Sequence, residues 1–479
     1  MIGQILERFI AFEDENQMFS KKIQNVYFWS YIRPYIFEII VENSQLNISV
    51  RNNPKSGGLK QKLNKIIHEI MNVLFHNPFR GLSQKDLLVI STSRRVRNDN
   101  FFECTYTEEI LKSFEGRYNQ FETASYDAHK RPVRYSNIKY LDYLIIKTQI
   151  VTKLKRALKK NNLLSEELSY INNLLKEMEV YFSISLNKDD IIKHIQNIVV
   201  KQKVMYKYYD KILAKTKPKC IIEICYYEFT KLVLNEVAKD KNIKVIELQH
   251  GIMGNDHAAY NFKRKQSLPC FPDYVFLFGE YWRETTRFPI DNNKLIPVGF
   301  PYFEKKVQCK NSIKKNKKVF LFLSQPTIGV ELSNLAVSLN EKLNEDEYKI
   351  IYKLHPNEFT NWQTNYNNLL KSNIEVIDNA EKDLYHYFSL SDYQVGVYST
   401  ALYEGIGYGL KTFILRTVGY EYMIDLINRK NAILANNATD IIRNLHSNTA
   451  SDISFNNSLW QKNSVKNLKE RIESILNNN

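Results

Sequence analysis

The chain lacks any apolar run of membrane-spanning length. The nearest candidate, Val26 to Val41, is interrupted by Arg33 and Pro34 and reads as an amphipathic or part-buried helix. No signal-peptide pattern opens the sequence, so a cytoplasmic location is expected. Cysteine is scarce: Cys104, Cys220, Cys225, Cys270 and Cys309 have no zinc-ligand spacing, and an odd count argues against a disulfide framework. A zinc finger, an RNP-type aromatic signature and a basic helix leading into heptads are all missing, as is any repeat of solenoid period. No Asp-x-Asp sits at an expected strand end, so neither an obligatory metal nor a cofactor is expected.

What is present is a folded composition, 44% apolar and 13% aromatic over 479 residues, enough for two or three domains. A net charge of +15 implies acidic partners: phosphorylated or carboxylated substrates, an anionic membrane surface or nucleic acid. The lysines are spread along the chain instead of clustered, which makes nucleic acid the weakest of the three.

Hydrophobic periodicity divides the sequence. Residues 1–80 have helical spacing between Phe9 and Ile40 and again from Leu63 to Phe75. A strand is expected at Asp86–Ser91, ending in a guanidinium-rich loop, Thr92-Ser93-Arg94-Arg95-Val96-Arg97. A lysine-rich helical insertion covers about 140–215. Then comes a βαβ unit: strand Lys219–Cys225, helix Glu228–Asp240 and strand Lys244–Leu248. Strands at Tyr274–Phe278 and Leu295–Val298 each end in glycine, Gly279 and Gly299, which suits tight strand-to-helix turns. The charged stretch Glu304–Lys318 reads as a linker, and after it the α/β rhythm restarts with strands at Val319–Leu323, Tyr348–Leu354, Ile374–Ile377, Tyr393–Tyr398 and Thr412–Leu415. The expected fold class is α/β: two Rossmann-like domains facing a cleft, with additional N-terminal helices. The domains are taken as 1–80 (helical), 81–305 (Rossmann-like), 317–440 (Rossmann-like) and 441–479 (helical tail).

Two segments of the second half carry the chemistry. Ser399 and Thr400 stand where a helix begins after a buried strand, offering backbone N–H groups and two hydroxyls to an anion. Glu404 follows four residues after Thr400 on the same helical face, within reach of the ribose of a nucleotide whose phosphate rests on the helix start. The same residues also suit a plain helix cap with Glu404 in solvent. His355 closes another strand, and Pro356 cannot extend a ladder, so the imidazole is left at the sheet edge, where α/β sheets bind ligands. There it is placed to donate to a phosphate oxygen or protonate a leaving group. The run Gly405-Ile406-Gly407-Tyr408-Gly409 follows a helix instead of a strand, so it is read as a helix end with close packing, not as a dinucleotide fingerprint.

The His-Pro, the Ser-Thr…Glu helix start and the Gly-rich turn, set in two α/β domains, resemble the glycosyltransferase-B architecture. Within it the resemblance is to bacterial surface-polysaccharide enzymes: capsule and lipopolysaccharide sugar transferases, Kdo and sialyl transferases, and CDP-glycerol glycerophosphotransferases. It implies that His355, Ser399 and Thr400 contact the phosphates of a nucleotide-activated sugar and that Glu404 binds its ribose. Gln325-Pro326 resembles the Gln-Pro of capsule transferases and would border the nucleotide. Gln249-His250-Gly251 resembles the His-Gly element of teichoic-acid polymerases. His250 is then placed to deprotonate a glycan or lipid-linked acceptor, with Asp256 and His257 in the same loop to raise its basicity. Packing of His250 against Gly251 is the alternative. Arg94, Arg95 and Arg97 suit an acidic acceptor, or form a solvated loop. The sequence lacks the acidic base motif of sialyltransferases, which leaves the sugar open. Polyol-phosphate transfer, sugar-nucleotide epimerisation or a non-enzymatic anion-binding role remain as alternatives.

Overall fold

The structure, a computed structural model, describes residues 2–44, 70–123, 129–135, 137–158, 162–309, 315–447 and 453–477. The chain forms two compact lobes. The N-terminal lobe takes Ile2–Phe278, Arg283–Pro301 and Asn463–Asn479; the C-terminal lobe takes Gly279–Trp282 and Tyr302–Lys462. Both are Rossmann-like, and the N-terminal lobe carries extra helices.

The N-terminal lobe is built on β1 (Leu87–Thr92), β4 (Tyr118–Thr123), β5 (Ile138–Tyr140), β6 (Cys220–Ile224), β7 (Lys244–Leu248), β8 (Tyr274–Leu277) and β9 (Leu295–Pro297), in the order β5-β4-β1-β6-β7-β8-β9. Every pairing is parallel. Such sheets are covered on both faces, and accordingly every residue of β1 and β6 is buried. The chain runs outward from β1 in one direction, then returns to β6 and runs outward in the other. The carboxyl ends of β1 and β6 therefore mark a topological switch point, where open α/β sheets bind ligands.

The expected loop after β1 is instead a hairpin of β2 (Arg95–Asn98) and β3 (Phe101–Cys104). It forms because Arg95 turns inward: its guanidinium pairs with Glu122 at 2.6 Å, and both side chains are almost fully buried. In the N-terminal helices Arg33 likewise points in. It pairs with Glu13 at 2.6 Å and donates to the Asn261 carbonyl at 2.8 Å, so the charge that interrupts the apolar run belongs to the interior of the lobe. The expected helix pattern from Leu63 falls largely on 63–69, outside the described residues.

The C-terminal lobe has β10 (Lys318–Leu323), β11 (Tyr348–Lys353), β12 (Glu375–Ile377), β13 (Tyr393–Gly396), β14 (Lys411–Leu415) and β15 (Ile433–Ala435), in the order β12-β11-β10-β13-β14-β15. All pairs are again parallel, with the switch point between β10 and β13. Of the expected linker, Pro301–Gln308 is a helix, and 310–314 lie outside the described residues. The Gly-rich run packs as its composition suggests. A Cβ on Gly405 would lie 2.0 Å from Gln394 and one on Gly407 2.4 Å from Trp460, while Gly409 ends the helix at φ 94°. The polar stretch after Thr439 divides, Ile453–Leu459 lying in the C-terminal lobe and Ser464–Asn477 in the N-terminal one.

Candidate functional site

In the C-terminal lobe the residues singled out from the sequence sit at the carboxyl ends of three neighbouring strands. Gln325 and Pro326 follow β10, His355 follows β11, and Ser399-Thr400 follow β13. Because β10 pairs directly with both β11 and β13, the topology gathers them at the switch point. The Thr327 and Tyr398 hydroxyls share a hydrogen bond across the two loops.

Ser399 is the N-cap of helix Thr400–Tyr408, its hydroxyl accepting the Ala401 N–H at 3.2 Å. His355 caps the short 3₁₀ turn Pro356–Glu358. Its Nδ1 accepts the Asn357 N–H at 3.2 Å, which puts the ring proton on Nε2, a donor free for an anion. Burial lowers the His355 pKa, so the ring is neutral at neutral pH. Glu358, which the sequence reading missed, holds this corner. It accepts the His355 N–H at 2.6 Å, the Ser324 hydroxyl at 2.9 Å and the Tyr366 hydroxyl at 2.5 Å. A His-x-x-Glu pair is a capping-box spacing, and that signal was in the sequence. Glu404 is not in open solvent: Tyr385 donates to its carboxyl, and burial pushes it up to about 7.

The N-terminal lobe presents a different set at its own switch point. After β6 the chain turns sharply at Cys225, a non-glycine at φ 63°, and sends Tyr226 and Tyr227 across the ends of the strands. After β7, Gln249 locks the loop by donating to the Gly251 carbonyl at 2.8 Å and accepting the Phe278 N–H at 2.7 Å. His250, only 13% exposed, places Nε2 3.3 Å from the Tyr227 hydroxyl and Nδ1 4.0 Å from Glu247. Its Nδ1 has no hydrogen-bond partner among the described residues.

Glu247 is fully buried, accepting the Tyr260 hydroxyl at 2.5 Å and the Tyr226 N–H at 3.1 Å on one oxygen while the other has no partner among the described residues. Burial pushes its carboxyl up to about 7. Glu223, one strand over, is pushed by burial to about 8. Lys231 pairs with Glu228 at 2.9 Å beneath them. Glu223 and Glu247 escaped the sequence reading because each is a single carboxylate in an apolar run, and only the sheet, covered on both faces, shows that it is buried.

The expectation that Asp256 raises the basicity of the loop imidazoles is corrected. Burial, then the neighbouring His257, Lys231 and Arg94, push His250 down to about 3, and burial pushes His257 to about 4. Asp256 instead approaches the first helix, where a Cβ on Gly3 would stand 2.7 Å from its carboxylate. His257 faces the same aromatic wall as His250, its ring 5.5 Å from Tyr227 and 4.8 Å from Tyr260. Of the arginines, Arg94 is exposed and its charge reaches His250, while Arg97 is exposed on the hairpin. Arg95 is not available to an acceptor, being committed to Glu122 inside the lobe. Among the described residues no three His, Cys, Asp or Glu side chains are grouped to hold a metal ion.

No family model matches the chain. An uncharacterized protein of Methanocaldococcus jannaschii is 25% identical over 339 residues, which are 68% of this chain; the chain spans 58% of that relative's length. Among solved structures, UDP-GlcNAc 2-epimerase from Methanocaldococcus jannaschii aligns with a TM-score of 0.48 at 15% identity, over 82% of this chain and 99% of that one. UDP-GlcNAc 2-epimerase from Neisseria meningitidis aligns at 0.47 and 14%, over 83% and 100%. The wall teichoic acid polymerase TagF aligns at 0.46 and 12%, over 88% and 99%.

Proposed function

We propose that this chain is an enzyme acting on a nucleotide-activated sugar, with nucleotide recognition on the C-terminal lobe and acid–base chemistry on the N-terminal one. The observation that carries the reading is the Glu247–His250 pair. A carboxyl held near 7 stands 4.0 Å from an imidazole kept neutral by burial, at the carboxyl ends of a parallel sheet. An effective base titrates near its working pH, which suits Glu247 better than His250 alone. In this reading Glu247 ends with the proton: His250 accepts it from a hydroxyl on Nε2 and passes its Nδ1 proton to Glu247. His355 Nε2–H and the start of helix Thr400–Tyr408 hold the donor phosphates, with Gln325 and Pro326 beside them and Glu404 on the ribose.

The finer assignment is transfer of a sugar to a glycan or lipid-linked acceptor in bacterial surface polysaccharide synthesis, with Arg94 and Arg97 as anchors for acidic groups. Polyol-phosphate transfer needs the same base and phosphate site. Epimerisation has its own support in the two buried carboxyls, Glu223 and Glu247, both poised near neutrality and so able to exchange a proton with a carbon acid.

Calorimetry of the full chain against CMP, CDP, UDP and GDP compounds tests the nucleotide half. Binding is expected for one base, weakened in His355→Ala and Glu404→Ala; no binding by any of them removes the reading. Product analysis with the donor that binds then separates the chemistries. A new glycosidic or phosphodiester linkage marks transfer, and an altered sugar without acceptor marks epimerisation.

A further inference from the structure

A cavity of about 790 Å³ in the N-terminal lobe shares no residue with the His250 site. It opens between the turn that joins the first two helices, helix Asp142–Ala157, helix Lys188–Thr216 and the second half of helix Phe229–Asp240. Five lysines line it. Lys203, Lys207 and Lys211 recur every fourth residue, so they stack along one face of a single helix, where like charges repel. Lys155 comes from the facing helix and Lys22 from the turn, adding two more ammonium groups to the same space.

The two acids of the cavity offset only part of this set, and neither is paired with one of its lysines among the described residues. Glu236, buried in the floor, already accepts the Tyr31 hydroxyl and the Gln202 amide, and Asp240 accepts the Tyr206 hydroxyl at 2.6 Å. Lys155, Lys207 and Lys211 make no ion pair among the described residues, and Lys203 is held by the neutral Gln24 side chain at 2.9 Å. Three elements thus converge cations on one open pocket, whose five lysines outnumber its two acids by three. The tyrosines and valines between them, such as Tyr27, Val151 and Tyr208, give it an apolar wall.

We propose that this cavity is a second ligand site, taking a phosphate- or pyrophosphate-bearing molecule whose apolar part lies against the tyrosine wall. Ammonium groups on flexible stems suit a multiply charged phosphate as point charges, and the volume is that of a small-ligand pocket. Burial and the neighbouring Lys155 both lower the Lys203 pKa, in keeping with a cationic site that lacks its anion.

The chemistry is shared by a soluble phosphorylated metabolite and by the headgroup of an anionic lipid, so the test has two arms. The full chain is titrated with inorganic pyrophosphate by calorimetry at low salt, and separately with sedimenting vesicles of phosphatidylglycerol and phosphatidylcholine in equal parts. Lys207→Glu with Lys211→Glu changes two exposed side chains outside the His250 and Ser399 sites. It is expected to weaken binding in the responding arm by at least about tenfold, while Lys207→Arg with Lys211→Arg retains it. Pyrophosphate binding lost in the reversed variant supports a soluble ligand; vesicle binding lost in it supports a headgroup. Binding in neither arm, or binding that survives the charge reversal with the fold intact by circular dichroism, overturns the proposal.

Discussion

At the switch point of the N-terminal sheet the side chains are ionisable and buried: Glu223, Glu247, His250 and, behind them, Lys231. At the switch point of the C-terminal sheet they are the hydroxyls of Ser399 and Thr400, the backbone N–H groups of a helix start and one neutral imidazole. Two sheets of the same parallel construction therefore carry opposite electrostatic surroundings at their strand ends. Burying unpaired carboxyls raises their pKa toward neutrality and makes proton exchange easy; leaving N–H donors half-open makes a resting place for a charge that must not be protonated. A single Rossmann-like plan supplies both because the strand ends fix where a side chain goes, while the residues around it fix its charge.

The comparison breaks most sharply at His250. His250→Ala is expected to lower kcat by roughly 100- to 10,000-fold on the donor that binds, with donor affinity unchanged, if, as proposed, the base lies in one lobe and the nucleotide in the other. Loss of donor affinity alongside kcat would contradict that separation. Next is Arg95, close by in the fold yet structural. Arg95→Leu leaves the buried Glu122 with His129 as its remaining partner and should cost about 3 kcal/mol in denaturant unfolding, against less than about 0.5 kcal/mol for exposed Arg94→Ala.

The pH dependence of stability sharpens the contrast further. Glu247 is held near 7 against an ordinary 4.5, so its contribution is complete below pH 4.5 and falls by roughly 3 kcal/mol as pH rises to 7, where the unfolded chain ionises first. His250, pushed down to about 3, works in the other sense: its contribution is present above pH 6.5 and is lost as pH falls toward 3. Glu247→Gln should flatten the decline between pH 5 and 7 in thermal melts, and an unchanged profile would mean that Glu247 is not the buried acid it appears in the fold. The smallest stability change is at the helix start. Ser399→Ala should cost about 1 kcal/mol as a lost cap, whereas Ser399→Asp keeps the cap and abolishes nucleotide binding by like-charge repulsion. Equal nucleotide affinity in wild type and Ser399→Asp would show that Ser399 is a cap and nothing more.

Most strands were legible because a parallel sheet writes itself as short apolar runs: Lys244–Leu248 lies where periodicity puts it. Tyr118–Thr123 was not legible, although five of its six residues are buried, because Asn119, Gln120, Glu122 and Thr123 fill the interior with hydrogen bonds and ion pairs instead of methyl groups. Glu122 makes the reason concrete. Its carboxylate is shared between Arg95 and His129, the latter at 2.5 Å, and nothing in the local pattern of the strand announces either pairing. The gathering of Gln325, His355 and Ser399 was half-readable. Each was recognised as a strand-end residue, but only the strand order says that the three ends are adjacent.

The last helix, Ser464–Asn477, places Leu468, Ile472, Ile475 and Leu476 in the same core as β1 and β6, and Glu473 pairs with Arg117 at 2.7 Å. This fixes an order of events during synthesis. The ribosome must finish the entire C-terminal lobe before the first lobe receives its final wall, so the N-terminal core waits, with apolar surface uncovered, for a segment more than a hundred residues downstream. A chain cut after Lys462 would thus injure the lobe that was made first.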